Sequence, residues 1–505
     1  MAVSTRLRRA SAGSWDTLTT HPPSAGMGWS GHAFPHPPGR RRVVGDAFAK
    51  GTDPTTPVQN MLAVSRDLGP IYEMLALGRK FVFVAGVDLV GELCDDKRFV
   101  KTLAPGVHDL RMFVGDGLFT AHTDEPNWRL AHDLLVPAFA KPAMRRYHDV
   151  MVETTDELID VWEEAASDGH RVDVSPWLTK LTLESIARAA FSHTFASFET
   201  EEVDPFVTTF VSSMSYAAGR SNLASIPLVG RHLVRRRDRR ALERHRYIDD
   251  LLQRIVAERK AGGEQVDDLL GRMMDVPVDT AGTMLEAQNV RHQILTLLVA
   301  GHETTSGALS FALYHLTREP EVLARVRAEL DEVLGTDPTA TPTFEQVPKL
   351  RYLRRVVDET LRLWPTAPGF ARSPRETTVI GADGGAGVPG GLAMTPQDSV
   401  LVFIPQLHRD PHVWPDPERF DPDRFLPEHN RARPAHAYKP FGTGERACIG
   451  RQFALHEAVI VLAKLLHRFD LTPEPDYRLT ITERLTLMPV GFRVGLTRRW
   501  GPGRT

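Results

Sequence analysis

Apolar residues in the middle of the chain recur at helical spacing. From about Pro126 to Gly335 this period predicts a mainly helical region, with loops near Asp204-Pro205, near Ser225-Ile226-Pro227 and from Val276 to Gly282. A long apolar helix is predicted from about Leu285 to Thr317, and a short polar stretch interrupts its middle. Helix therefore dominates the central half of the chain.

Short runs of β-branched and aromatic residues flank this helical region. One such run, Lys80 to Gly86, precedes it, and three follow Pro374: Thr378 to Gly381, Ser399 to Ile404 and Phe492 to Leu496. Each run is bounded by residues typical of turns, as expected for short strands. The pattern predicts a mainly α protein with small β sheets, an α+β fold.

The N-terminal part of the chain has a different composition. Residues 1–45 are rich in Pro, Gly, Ser and basic residues, and we expect a disordered tail there, followed by a single domain over residues 46–505. No apolar run reaches the roughly 20 residues that span a bilayer. We therefore expect neither a signal peptide nor a membrane anchor.

Composition and charge narrow the class of protein. The chain has 42% hydrophobic and 25% charged residues with a net charge of −3, the balance of an ordinary soluble protein that does not bind nucleic acid. Two cysteines, Cys94 and Cys448, rule out a disulfide framework and favour the cytoplasm. Eight arginines lie between Arg231 and Arg246. We interpret them as a solvated helix face, although anionic lipid or a partner could also contact them.

One stretch of the sequence, Pro440 to Gly450, combines a glycine-rich turn with a cysteine. Its glycines allow positive φ and close backbone approach, and a helix is predicted from Ile449 onward. Cys448 would then lie at a helix N-terminus, where a thiolate has a lowered pKa and suits haem iron better than zinc. Arg446 could reach a haem propionate. A buried structural cysteine is the alternative, but it explains neither the glycines nor Arg446.

This stretch resembles the haem-binding signature of the cytochrome P450 monooxygenases. All six fixed positions match, namely Phe441, Gly442, Gly444, Arg446, Cys448 and Gly450. The resemblance implies that haem b, an iron protoporphyrin IX, lies between the long central helix and the cysteine loop, with Cys448 as the axial ligand. It also assigns Phe441, Gly442, Gly450 and Arg446 to cofactor binding.

The polar stretch within the long helix reads Ala300-Gly301-His302-Glu303-Thr304-Thr305-Ser306. Gly301 could let a flat cofactor approach the backbone, and Thr304 can hydrogen-bond to the carbonyl one turn earlier. On its own, the stretch would indicate only Ser and Thr that satisfy the backbone. It is similar to the family's oxygen-activation motif, which implies that Thr304 donates a hydrogen bond to dioxygen and that Glu303 supplies protons.

Two further helices carry features of the same family. Glu359 and Arg362 are three residues apart on one helix face, where they can form an ion pair. The resemblance implies a structural clamp completed by a later arginine. Arg419 and Arg424 both compete for that role, and we select Arg424 because it follows Phe-x-Pro.

Trp128 and His132 share another helix face. The family resemblance implies that they bind a haem propionate, with Lys101 as a weaker candidate. A buried Trp with an incidental His is the alternative.

The likeness extends from roughly Leu62 to Leu496 and is greatest to bacterial fatty-acid hydroxylases whose haem domain is fused to a diflavin reductase. By resemblance, an apolar cavity over the iron is lined by Phe119, Ala300, Ala367 and Leu485. Arg79 matches the subgroup's carboxylate-binding arginine, but Phe83 replaces its tyrosine. A neutral lipophile could therefore replace the fatty acid, because one hydroxyl donor is lost.

The sequence thus predicts a haem-dependent monooxygenase that uses dioxygen as co-substrate. Because the chain ends at Thr505, we expect NAD(P)H-derived electrons to arrive through a separate ferredoxin or flavoprotein. The first predicted reaction is hydroxylation of a fatty acid. Alternatives are a hydroxylase or epoxidase that tailors a polyketide- or terpenoid-like product, peroxide-driven catalysis in the same pocket, and a haem-binding sensor or carrier without turnover.

Overall fold

The computed structural model describes residues 33–41, 45–46, 56–76, 79–224, 230–263, 266–384 and 390–499. In this part of the chain the helices are α1 (Pro57–Ser65), α2 (Val87–Leu93), α3 (Pro105–Val114), α4 (Pro126–Leu135), α5 (Met144–Asp168), α6 (Val174–Phe191), α7 (Pro205–Ala224), α8 (Gly230–Gly262), α9 (Leu269–Asp275), α10 (Ala287–Leu316), α11 (Pro320–Leu334), α12 (Arg351–Leu363), α13 (Ile404–Leu407), α14 (Pro427–Ala432) and α15 (Arg451–Arg468). None of them has both the length and the apolar content needed to cross a membrane.

The strands are short and form four separate sheets. They are β1 (Ile71–Ala76), β2 (Arg79–Val84), β3 (Phe99–Thr102), β4 (Arg171–Asp173), β5 (Gly369–Pro374), β6 (Thr378–Ile380), β7 (Leu392–Met394), β8 (Val400–Phe403), β9 (Phe469–Pro473), β10 (Ile481–Glu483), β11 (Leu487–Pro489) and β12 (Arg493–Arg498). The largest sheet has the order β1-β2-β8-β5-β3, and the others are β4-β12-β9, β10-β11 and β6-β7. The α+β class predicted from the sequence is confirmed.

Helix α10 forms the centre of the hydrophobic core. It is buried on nearly all sides and packs most extensively against α6. Gly301 permits this close packing, because a Cβ added there would lie 2.9 Å from Ile186 Cγ1 of α6. That a cofactor approaches the backbone of Gly301 stays a prediction. The missing side chain of Gly301 makes room for another helix.

The predicted elements agree with the structure where the signal is local. The central helix spans Ala287–Leu316, within two residues of its predicted ends. Strand β4 was missed, because its three residues pair with β12, about 320 residues later, and carry no local pattern. The predicted loop at Ser225-Ile226-Pro227 lies outside the described residues.

The N-terminal segment is ordered earlier than its composition indicates. Most of the predicted tail lies outside the described residues, but Phe34 is buried and the Glu73 amide donates to Pro35 O over 2.9 Å. Arg40 pairs with the buried Asp46 over 2.8 Å. The prediction of disorder up to residue 45 is thus wrong for residues 33–41, because they pack against β1. That residues 46–505 form one domain stays a prediction.

Candidate functional site

The cysteine loop precedes helix α15 and turns through two glycines in the left-handed region. Gly442 has φ +71° and Gly444 has φ +62°, as the motif predicts. Gly450 has φ −80° and is the N-cap of α15. A Cβ at Gly450 would lie 4.0 Å from the Cys448 sulfur, an ordinary contact, so the fold itself does not require a glycine there. The Cys448 amide donates to Phe441 O over 2.8 Å and closes the loop on itself.

The Cys448 side chain is both accessible and closely surrounded by protein. This burial raises the pKa of the thiol. The Gly450 amide and the Arg451 charge act in the opposite direction but are outweighed. The expectation that the helix N-terminus lowers this pKa is therefore wrong, since desolvation dominates. An anionic sulfur at this position requires the positive charge of a bound metal.

Two cations close to the cysteine loop lack a carboxylate partner among the described residues. Arg446 donates to Leu118 O and Ala121 O, each over 2.9 Å, and Lys101 Nζ donates to Phe119 O over 2.6 Å. Burial lowers the pKa of Arg446 to about 10, and burial together with Arg446 lowers the pKa of Lys101. Two mutually repelling cations at one buried place favour binding of an anionic group.

Trp128 and His132, both on helix α4, lie beside Arg446. Their rings stack with centroids 5.0 Å apart, and the Arg446 guanidinium lies 4.5 Å from the centre of the Trp128 ring. The His132 Nδ1 is 3.1 Å from Asp133 Oδ1. The structure thus brings together four residues that the sequence proposes as partners of haem propionates: Trp128, His132, Arg446 and Lys101.

The donor set fits a metal that brings its own chelating ring. In the described part of the chain, no group of three or more His, Cys, Asp or Glu side chains could hold a metal ion. One accessible sulfur with two cations and an aromatic stack nearby can bind a flat iron complex that carries carboxylates. The residues present therefore fit haem.

The polar residues of α10 have different surroundings. Thr304 Oγ1 donates to Ala300 O over 2.7 Å, the expected bond to the preceding turn. Glu303 is buried, and its nearest charged neighbour is Arg484, with Nη1 3.8 Å from Oε1. Burial raises the pKa of Glu303. A raised pKa favours the protonated form of this carboxyl group, which is the form that a proton donor needs.

Apolar side chains are exposed on elements that are otherwise buried. Ala300 on α10 and Ala367 after α12 are exposed, Phe119 is 37% exposed, and Leu485 is half-buried. Such surface within a core is typical of a lining for a lipophilic ligand. The structure does not contradict the predicted cavity residues.

Arg79 and Phe83 of β2 have separate environments. Arg79 is half-buried at the start of the strand, and no carboxylate of the described residues forms an ion pair with it. Phe83 is buried against Tyr72, with ring centroids 5.3 Å apart, and lies edge-on to Phe403. Phe83 therefore serves as packing for the sheet.

The predicted clamp is assembled around Glu359. Arg362 donates to both Glu359 oxygens, over 2.6 and 2.8 Å, and the Asp421 amide donates over 2.8 Å. Arg424 Nε lies 3.4 Å from Glu359 Oε1, whereas Arg419 contributes only its carbonyl, to Arg362. The structure thus places Arg424, and not Arg419, beside the carboxylate.

Two residues that support the cysteine loop and the segment just before it were missed. His408 lies 3.2 Å from Arg362 O and accepts a hydrogen bond from the Lys439 amide over 2.8 Å. Asp96 accepts from the Glu445 amide over 2.9 Å, and a Cβ at Gly444 would collide with it. Both contacts join segments distant in sequence, so no local pattern indicates them.

The chain matches one family model and is similar in sequence to several curated proteins. The family model described as Cytochrome P450 matches residues 35–496. A bifunctional cytochrome P450/NADPH–P450 reductase of Bacillus cereus is 41% identical over 449 residues, which cover 88% of this chain and 41% of that protein. A second protein with that description, from Bacillus subtilis, is 41% identical over 446 residues, covering 87% and 40%. A self-sufficient cytochrome P450 monooxygenase of Penicillium freii is 36% identical over 467 residues, covering 92% and 43%. The chain spans about two fifths of the length of these curated relatives.

Proposed function

The chain belongs to the cytochrome P450 family, and on that premise we propose that it is a haem-thiolate monooxygenase that hydroxylates a fatty acyl chain. One oxygen atom of dioxygen enters a C–H bond, and the other leaves as water with two electrons and two protons. The observation that carries the proposal is the accessible Cys448 sulfur in the same loop as Arg446, which, like the neighbouring Lys101, has no carboxylate partner among the described residues.

Haem would be held by Cys448 below and by charged and aromatic residues at its edge. Arg446, Lys101, Trp128 and His132 are suited to its propionates, since two of them are cations that lack a carboxylate partner in the described structure. Bound haem supplies the activation of dioxygen by a thiolate-ligated iron. The clamp of Glu359, Arg362 and Arg424 supports the segment just before the cysteine loop through His408.

Protons would reach the site through α10. The Glu303 carboxyl is buried with a raised pKa, which favours its protonated form and suits it to the role of a proton donor. Thr304 lies one residue further along, and its hydroxyl is bonded only to Ala300 O. The pair places an acid and a rotatable hydroxyl on the helix that carries the exposed Ala300, where the substrate cavity begins.

The proposed substrate has an apolar chain and a carboxylate. The exposed side chains of Ala300, Ala367 and Phe119 provide an apolar wall, and Arg79 is a cation that lacks an ion-pair partner among the described residues. Phe83 offers no hydroxyl to the carboxylate, which makes a neutral polyketide- or terpenoid-like lipophile the second candidate.

Spectral titration of the haem-loaded protein with fatty acids and with the matching primary alcohols tests the substrate. We expect type I shifts with medium or long acids, and an Arg79→Ala variant that binds the acids about 10- to 100-fold more weakly while its affinity for the alcohols is unchanged. Lys97→Ala, which removes an exposed charge, serves as the control. Absence of a shift with any chain length would exclude the fatty acid and favour the neutral lipophile.

The electron donor we propose is an NAD(P)H-dependent flavoprotein, with a ferredoxin as the alternative. The support is that the relatives from Bacillus are described as joining a P450 to an NADPH–P450 reductase. Turnover with purified donors of each kind separates the two. Faster product formation with the ferredoxin than with the flavoprotein would contradict this choice.

A further inference from the structure

The carboxyl group of Glu303 is buried on α10, and no hydrogen bond to it is formed within the described part of the chain. Its side chain is 4% exposed, and neither Oε1 nor Oε2 has a hydrogen-bond partner among the described residues. The hydroxyl of Thr486 is nearby and opposes the raised pKa of Glu303, yet Thr486 Oγ1 also lacks a bonded partner in this part of the structure. A buried carboxyl without bonds is costly, so the group that faces it matters.

Arg484 is that group, and it comes from the turn between β10 and β11. Its Nη1 lies 3.8 Å from Glu303 Oε1, which is within reach of an ion pair but beyond a hydrogen bond. The Arg484 side chain is 34% exposed, so its guanidinium connects a buried acid with solvent. The Arg484 amide donates to Thr486 O over 3.0 Å and closes the turn.

Three contacts hold the hairpin formed by β10 and β11 in place. Glu483 accepts from the amides of Val58 and Gln59, over 2.5 and 2.8 Å, at the start of α1. The Leu487 amide donates to Thr366 O over 3.0 Å. Gly307 of α10 lies directly against the hairpin, since an added Cβ would be 2.7 Å from Leu487 O. The turn therefore holds Arg484 at a set distance from α10.

The other titratable neighbour of Glu303 is neutral. His302 lies 2.7 Å from Leu298 O, and burial lowers its pKa to about 4, with the Arg484 charge acting in the same direction. From α6 an uncharged hydroxyl, Thr182 Oγ1, donates to His302 O over 2.8 Å. The carboxylate of Glu483 is engaged by α1. In the described structure the charge that acts on Glu303 is thus that of Arg484.

We infer that Arg484 is a positioning residue for the proton supply: it holds the Glu303 carboxylate by charge, without a hydrogen bond, so that the acid keeps one orientation and still exchanges its proton. The inference rests on the proposed function. Glu303 gives its proton toward the Thr304 side and takes another from solvent, so the carboxyl is unchanged after each cycle. A direct bidentate pair would instead fix the carboxylate in its charged form.

Infrared spectroscopy of the haem-loaded protein tests the placement without any need for turnover. The carbonyl stretch of the protonated Glu303 is assigned by its loss in Glu303→Gln and followed as a function of pH. We expect Arg484→Gln to raise the midpoint by about one pH unit or more, because an opposite charge at this distance lowers a carboxyl pKa by about 1–3 units. Arg484→Lys should restore most of the shift. The exposed Arg478→Gln, which removes the same charge shortly before β10, should leave the midpoint unchanged.

Kinetics supply the second readout. With a surrogate reductase we expect Arg484→Gln to consume reductant at the normal rate but to form several-fold less product, with a larger solvent isotope effect on kcat and an unchanged KM. An unchanged carbonyl midpoint in Arg484→Gln would overturn the inference even if the enzyme hydroxylates fatty acids. If Arg484→Gln shifts the carbonyl midpoint of Glu303 but the wild-type protein never turns over, the role of Arg484 would be supported and the proposed function rejected.

Discussion

Two buried carboxylates, Glu359 and Glu303, differ in how they interact with arginines. Glu359 on α12 has two hydrogen bonds from Arg362, one from a backbone amide and a second arginine at 3.4 Å. Glu303 on α10 has one arginine at 3.8 Å and no hydrogen bond within the described chain. The same pair of residue types thus forms a fixed ion pair in one place and a looser contact in the other, where we propose that the acid exchanges its proton.

A third buried carboxylate extends this comparison to the case without a cation. Glu457 on α15 is 1% exposed, and neither of its oxygens has a bonded partner among the described residues. Burial raises its pKa to about 8, with the Ser185 hydroxyl acting weakly against the shift. Burial raises the pKa of all three acids, and they differ in the number of hydrogen bonds and nearby cations that act against this shift.

The largest effect on stability is expected for Glu359, which has more hydrogen bonds than Glu303. Glu359→Gln leaves the Arg362 charge buried and unpaired, so we expect a loss of about 3–5 kcal/mol in the free energy of unfolding and poor haem incorporation. Glu303→Gln should change the same quantity by less than about 1 kcal/mol, because no hydrogen bond is lost. Urea unfolding followed by circular dichroism measures both. Equal losses in the two variants would remove the distinction between clamp and acid.

Substitutions at Glu303 and Thr304 should lower activity, whereas substitutions in the clamp should lower stability. Glu303→Gln and Thr304→Ala should each lower product formed per electron by about 10²-fold, since a positioned proton donor contributes at least this much. Thr304→Ser keeps the hydroxyl and should retain most of the activity. Product and reductant are counted in parallel with a surrogate reductase. Full coupling in Thr304→Ala would mean that another group delivers the protons.

Glu457, the buried acid of this comparison that has no cation beside it in the described structure, should make the stability of the protein depend on pH. Glu457 holds its proton up to about pH 8 in the folded state, whereas an unfolded chain releases it near pH 4.5. Its contribution to stability is therefore fully present below pH 4.5 and is lost as pH rises toward 8. Relative to Glu457→Gln, the wild-type unfolding equilibrium constant should rise by at most about tenfold between pH 6 and pH 7. Parallel unfolding curves for the two proteins at both pH values would place an ionised Glu457 in the folded state.

Local patterns in the sequence were enough to predict much of the site. The cysteine loop, the ends of α10 and the choice of Arg424 over Arg419 each follow from a few adjacent residues. Contacts between distant segments were not predictable. Examples are β4, which pairs with β12, the bond from Lys439 to His408, and Arg484 against Glu303.

The outcome of opposing influences on one group also could not be predicted from the sequence. The helix N-terminus and burial shift the pKa of Cys448 in opposite directions, and only the folded structure shows that burial dominates. The same is true of Gly301, where the letter indicates close approach but not whether a ligand or Ile186 fills the space.

The central claim is that Cys448 is the axial thiolate of a bound haem. The difference spectrum of the reduced, haem-loaded protein with and without carbon monoxide tests it most directly. The account predicts the red-shifted Soret band of thiolate-ligated haem, which should persist in Cys94→Ser and disappear in Cys448→Ser. A protein that stays colourless after reconstitution, or a band that Cys448→Ser leaves unchanged, would contradict the claim.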